Sequence, residues 1–144
     1  MKIYLVWFFI FCGNLNSWSS HTSSYKNDVP EKIQRFLDTH FSNYKIDKLK
    51  YDAEDGECKV KYRNGIKVEF NHNGDWEEIE SNYTPLPKSI IDMLPSPAIS
   101  FIAKRFPQKP IMKIKRKSYG YKIELASSVG LKFDHQGNII KVDS

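Results

Sequence analysis

Two histidines recur in like surroundings, Asn71-His72-Asn73-Gly74 and Asp134-His135-Gln136-Gly137. A repeated imidazole is the group that could ligate a metal or move a proton near neutral pH. Each is flanked by residues that favour tight turns, and no second set of ligands stands at helical spacing, so both read as surface turn residues. The stretch Asp134 to Asn138 lacks the alternating acids and distal glutamate of a calcium loop and reads as a hairpin. Acids cluster at Asp52, Glu54, Asp55 and Glu57, and again at Asp75, Glu77, Glu78 and Glu80. A carboxylate pair could hydrolyse a bond or hold a cation, but both clusters fall at strand ends or on a wet register, where carboxylates are solvated. Cys58 alternates with Val60 and Tyr62, as a small buried hydrophobe does. The chain has no nucleophile elbow, no glycine-rich phosphate loop and no cysteine with a histidine partner. The expectation is a protein that is not an enzyme and uses no metal or cofactor.

Charge is the stronger functional signal. The 144 residues carry 22 basic and 17 acidic side chains, net +5. Residues 29–81 are net −3, whereas 94–144 are net +7. In the second half Lys113, Lys115, Lys117, Lys122 and Lys132 all fall on one alternating register, with Glu124 expected as the sole acid nearby. Such a field steers and holds an acidic protein surface. Nucleic acid is not expected, because most aromatic residues sit on the inward register and leave no stacking platform. Contact with an anionic membrane surface is compatible with the lysines. Trp76 and Tyr83 are the candidate aromatic anchors for a partner.

The elements that position these residues come in two copies. Val29-Pro30, Ile33, Leu37, Phe41, Ile46, Lys48 and Leu49 match Leu94-Pro95, Ala98, Ile102, Phe106, Ile111, Lys113 and Ile114 at an offset of 65. After a deletion in a turn the offset is 63, and Cys58, Val60, Tyr62, Ile66, Val68, Phe70 and Ile79 match Tyr121, Ile123, Leu125, Val129, Leu131, Phe133 and Val142. Each copy opens with an amphipathic helix, carrying Ile33, Phe36, Leu37 and Phe41 in the first and Ile99, Ile102, Ala103 and Phe106 in the second. Four strands follow in each, with Asp55-Gly56, Asn64-Gly65 and Asn73-Gly74 as the hairpin turns of the first. Period-two alternation means that one sheet face is buried and the other wet. The fold class is α+β: two tandem units, each a helix plus a four-stranded antiparallel meander, at 29–81 and 94–144. At about 50 residues each is marginal alone, so the units must pack on each other or share a sheet. A linker with a short helix spans 82–93.

The start of the chain reads as an address. Lys2 precedes the uncharged apolar run Ile3 to Cys12, too short to span a bilayer, and Ser17 and Ser19 fit a signal peptidase site. A signal peptide over 1–19, cut near Ser19, and a flexible leader over 20–28 imply a periplasmic or secreted protein. Phe11 before Cys12 argues against lipidation.

Leu94-Pro95, Phe106-Pro107, Ile111-x-x-Ile114, Gly120-Tyr121-Lys122-Ile123-Glu124-Leu125 and Lys132-Phe133-Asp134-x-x-Gly137 closely resemble the PepSY-like, β-lactamase-inhibitor-like family of exported bacterial proteins. The first copy matches more loosely through Val29-Pro30, Cys58-Lys59-Val60-Lys61-Tyr62 and Lys67-Val68-Glu69-Phe70. The resemblance implies units like those of the β-lactamase inhibitor protein, and no catalytic role. The expected function is an exported binding module, an inhibitor or interaction partner of an envelope or secreted protein that uses its exposed sheet faces and the groove between units. The alternative is a periplasmic carrier or sensor of a small anionic or lipidic ligand held between sheet and helix.

Overall fold

A computed structural model describes residues 28–144; the expected signal peptide, its cleavage site, Cys12 and nearly all of the leader lie outside them. Helix α1 (Glu31–Phe41) leads into strands β1 (Ile46–Tyr51), β2 (Cys58–Tyr62), β3 (Ile66–Phe70) and β4 (Trp76–Ser81). A short helix α2 (Lys88–Ile91) and α3 (Ser96–Arg105) precede β5 (Ile111–Lys117), β6 (Gly120–Leu125), β7 (Val129–Asp134) and β8 (Ile139–Asp143). The helix-then-four-strands unit therefore occurs twice, as the repeat implied. The two meanders do not form separate sheets: all eight strands join in one antiparallel sheet in the order of the chain.

Local chemistry explains each piece. Pro30 precedes α1 and its carbonyl accepts from the N–H groups of Ile33 and Gln34; its own missing N–H costs nothing there. Ile33, Leu37 and Phe41 recur at i, i+4 and i+8 and are buried, with Phe36 packed beside them edge-on to Phe70. Helix α3 follows Pro95 in the same way, but its buried face is Ala98 and Ile102, continuing from Leu94. Ala103, expected on that face, is exposed. The face is the one the repeat carries over, with Leu94, Ala98 and Ile102 in the places of Val29, Ile33 and Leu37, and Phe101 packs edge-on to Phe133 as Phe36 does to Phe70. In β2 and β3 every second residue is buried. These residues and the helices' buried positions form a single core, so both helices lie on one side of the sheet. The other side carries no helix among the described residues.

The last hairpin of each unit tucks under the start of its helix. A Cβ on Gly137, at φ +88°, would sit 2.7 Å from Pro95 Cβ and 2.9 Å from Ala98 N, so only glycine fits. In the first unit the same hairpin is tied down by charge, with Lys32 Nζ 2.7 Å from Asp75 Oδ1 and 3.2 Å from the Asn73 carbonyl.

One turn departs from its counterpart. The β2–β3 turn uses Asn64-Gly65, whereas the β6–β7 turn uses Ser127 and Ser128, both left-handed at φ 64° and 62°. Serine adopts that region at a cost, and asparagine or glycine at less. The double change Ser127→Asn/Ser128→Gly is expected to stabilise the protein by about 1 kcal/mol, read as a higher urea midpoint with unchanged slope. Unchanged or lower stability would show that the serines make up for their backbone conformation elsewhere.

Candidate partner-binding face

The helix-free face of the sheet is a grid of charges. Strand pairing sets Lys50, Lys59, Glu69, Glu78, Lys115, Lys122, Lys132 and Lys141 side by side, one per strand from β1 to β8. The neighbouring row is Lys48, Lys61, Lys67, Glu80, Lys113, Glu124, Gly130 and Asp143. Adjacent members of a row are about 4.8 Å apart, the strand spacing.

At the middle, the acidic β4 meets the basic β5. Lys113 Nζ lies 2.8 Å from Glu78 and 3.3 Å from Glu80, and Lys115 Nζ lies 2.9 Å from Glu78. Lys67 reaches Glu80 at 3.4 Å, and Lys59 reaches Glu69 at 3.1 Å. Burial pulls the Glu78 carboxyl upward, but hydrogen bonds and attraction from Lys113 and Lys115 outweigh it and hold the group below its ordinary value. Burial likewise opposes the charge on Lys113, and Glu78 with Glu80 more than restores it, so that lysine stays charged into strong base. The expectation that Glu124 is the sole acid near these lysines is therefore corrected. Joining the two meanders into one sheet brings Glu78 and Glu80 of the first copy against Lys113 and Lys115 of the second.

Beyond β5 the row becomes Lys115, Lys122, Lys132 and Lys141, four like charges in succession. Among the described residues Lys122 has no ion pair, and Lys132 has only the ring of Tyr119, at 5.9 Å. Lys141 pairs along its own strand with Asp143 at 3.2 Å. Of the four candidate lysines, two are thus engaged by glutamates, and two, Lys122 and Lys132, stand opposite each other without an ion pair among the described residues. Lys141, opposite Lys132, joins the lysines of β5 to β7 that alternation singles out.

The candidate aromatic residues do not come together. Trp76 faces Phe70 in the pairing, which puts it on the helix side, half-buried, with the Arg116 guanidinium 5.2 Å from its ring centre. Tyr83, 78% exposed, lies against Gly65 beyond the other end of β4, on the order of 20 Å along the strand from Trp76.

The other chemistry-bearing residues lie in turns and loops or in the core. His72 and His135 are exposed in their turns, and the His135 ring contacts the Ser118 carbonyl at 2.8 Å. Asp52 and Asp55 accept backbone N–H bonds within their own loop. Asp134 does the same in its hairpin, where bonds from Asn138, Gln136 and Gly137 lower its pKa. Burial pushes the Cys58 thiol up to about 12, which leaves it inert. Among the described residues no three His, Cys, Asp or Glu side chains are grouped to hold a metal. An open groove of about 450 Å³ runs along α1. It is lined by Glu31, Lys32, Arg35, Phe36, Thr39 and His40, all of them on that helix.

A family model described as "Putative beta-lactamase-inhibitor-like, PepSY-like" matches residues 17–63 and again 56–141. A solved structure of a putative calcium-regulated periplasmic protein from Bacteroides thetaiotaomicron is 32% identical, with a TM-score of 0.71 over 81% of this chain and 91% of that one. Two putative periplasmic proteins from Bacteroides vulgatus are 31% and 26% identical, each with a TM-score of 0.69. They match over 82% of this chain and over 92% and 94% of their own. No curated protein matches.

Two outcomes follow from the grid. Because the folded pKa of Glu78 is depressed below its ordinary 4.5, its contribution is complete above that value and is lost as pH falls through the folded pKa. Glu78→Gln is expected to cost about 1–2 kcal/mol at neutral pH and to flatten the acid limb of the stability profile below pH 4.5. Lys122→Glu should act oppositely, stabilising by about 0.5–1 kcal/mol because a carboxylate then sits between two lysines. Urea unfolding from pH 2 to 8, on the order of the carboxylate range, checks both.

Proposed function

Since the chain belongs to the family described as "Putative beta-lactamase-inhibitor-like, PepSY-like", we propose that it is an exported, non-enzymatic binding module of the periplasm that holds an acidic protein surface on the helix-free face of its sheet. The observation that carries the reading is the row Lys115, Lys122, Lys132 and Lys141. Like charges set directly opposite each other across strands lower stability, so the adjacent Lys122 and Lys132, which have no ion pair among the described residues, have their rationale in a ligand that supplies the missing negative charge. Lys122 and Lys132 are the centre of that contact, Lys141 extends it, and Lys113 and Lys115 form its inner border, already tied to Glu78 and Glu80. Tyr83, exposed at the end of the junction strand, is the remaining aromatic candidate; Trp76 belongs to the helix side. Export is supported by the apolar run Ile3 to Cys12 and by relatives described as putative periplasmic proteins. The calcium regulation named for the Bacteroides thetaiotaomicron protein forms no part of the proposal, since the described residues contain no cluster of ligands.

The test is capture from an envelope extract of the source bacterium with the parent chain, with Lys122→Glu/Lys132→Glu, and with Lys104→Glu, which changes an exposed charge on α3. The row variant is expected to lose an acidic protein that the other two retain, with the bound fraction falling about tenfold or more. An identical bound set for all three chains, or retention by vesicles of anionic lipid in place of any protein, would overturn the proposal.

A further inference from the structure

Strand β8 is unlike its counterpart in one respect: it keeps apolar side chains in solvent. Ile139, Ile140 and Val142 are 39%, 55% and 38% exposed, whereas Ile79, which occupies the place of Val142 in the first copy, is fully buried. The difference lies in the neighbour. Strand β5 pairs with β4 at three positions, Glu78 with Lys115, Ile79 with Ile114 and Glu80 with Lys113. The corresponding positions of β8 are Lys141, Val142 and Asp143, and no described element stands where β5 would be.

The internal junction therefore indicates which residues of β8 accept another strand, and their charges indicate what that strand must present. It needs an acid opposite Lys141, an apolar residue opposite Val142 and a base opposite Asp143. Taken antiparallel, β8 itself has that pattern. We propose that β8 pairs with β8 of a second copy about a two-fold axis through Val142, so that Lys141 faces Asp143 twice and the two valines face each other. Lys141 and Asp143 already share the helix-free face, where they meet at 3.2 Å. A two-fold axis perpendicular to the sheet keeps the helices of both copies on one side and closes the assembly at two chains.

The alternatives carry a charge penalty. An axis through Lys141 would set that lysine against its own copy. Head-to-tail growth would bring up β1, whose Lys48, Leu49 and Lys50 match Lys113, Ile114 and Lys115 by the repeat. Lys141 would then meet Lys50 where the internal junction has Glu78 against Lys115, and the array would not close. In the two-fold arrangement the lysine row instead runs onto Asp143, Gly130 and then Glu124 of the second copy. This inference rests on the repeat and the edge, and stands or falls independently of the acidic partner.

The experiment is sedimentation of the full chain, expressed with its own leader and purified as the host processes it, from roughly 10 µM to 1 mM. A monomer–dimer equilibrium that stops at the dimer is expected. Asp143→Lys and Lys141→Asp, each confirmed as folded by circular dichroism, should each weaken self-association about tenfold or more. Mixed in equal amounts, the two variants should dimerise again, because every opposed pair across the seam is once more basic against acidic. A parent chain that remains monomeric, assemblies that grow past two chains, variants that associate as the parent does, or a mixture that stays monomeric would each overturn it.

Discussion

The pairing of β4 with β5 is the constraint on which the rest of the molecule depends. It consists of three residue pairs, with Ile79 against Ile114 on the covered side and Glu78 and Glu80 against Lys113 and Lys115 on the open side. A unit of about 50 residues buries too little apolar surface to be secure alone. Through this seam two such units become one sheet with one continuous core, closed from the helix side by Leu86, Ile90 and Leu94. The Leu86 N–H donates to the Ile111 carbonyl at 3.3 Å and holds the connecting segment against the junction. Electrostatics and burial act here at the same place: Glu78 is desolvated, and only the two lysines make its charge tolerable.

Duplication supplied two copies of a fold element, and divergence then gave them different surroundings. The first copy ends on the acidic strand β4 and the first strand of the second is the basic β5, so the opposite net charges of the halves meet at the seam. The surplus positive charge lies past the seam, where β6 and β7 offer lysine against lysine. The same divergence separates the two terminal strands. Ile79 is wholly enclosed, and Val142 in the matching position is left at an edge. An identical local pattern thus yields a core residue in one copy and a surface residue in the other.

Much of the architecture was legible because it rests on local signals. The first unit's strands run between the turn pairs Asp55-Gly56, Asn64-Gly65 and Asn73-Gly74 that the sequence marks. Alternation in Cys58, Val60 and Tyr62 and in Ile66, Val68 and Phe70 marked the covered face correctly. The second helix was less legible. Its apolar residues Ile99, Ile102, Ala103 and Phe106 satisfy helical spacing, yet the face that packs is Leu94, Ala98 and Ile102. Several stripes fit so short a segment by spacing alone, and the repeat, which sets Ala98 and Ile102 in the places of Ile33 and Leu37, marks the one that packs. The candidate lysines were assigned to the right face for the same reason as the strands, but their electrostatic state was not legible. Glu78 and Lys113 are 35 positions apart in the chain, and no property of either residue indicates that they touch. Trp76 and Tyr83 could be associated by proximity in sequence, whereas an extended strand between them carries them apart.

What the amino-acid order determined by itself is the unit: an amphipathic helix led by a proline, four strands of period-two alternation, the turns between them, and the fact that the pattern occurs twice. Those features depend on backbone preferences and on neighbours within a few residues, and they are present in any stretch of chain long enough to contain them. What only the tertiary structure decided is how the units meet, and therefore which lysines are neutralised, which remain as an open row, and which apolar residues are left at an edge. Strand pairing joins residues that are distant in the chain through backbone hydrogen bonds that carry no sequence mark, so that choice belongs to the assembled sheet.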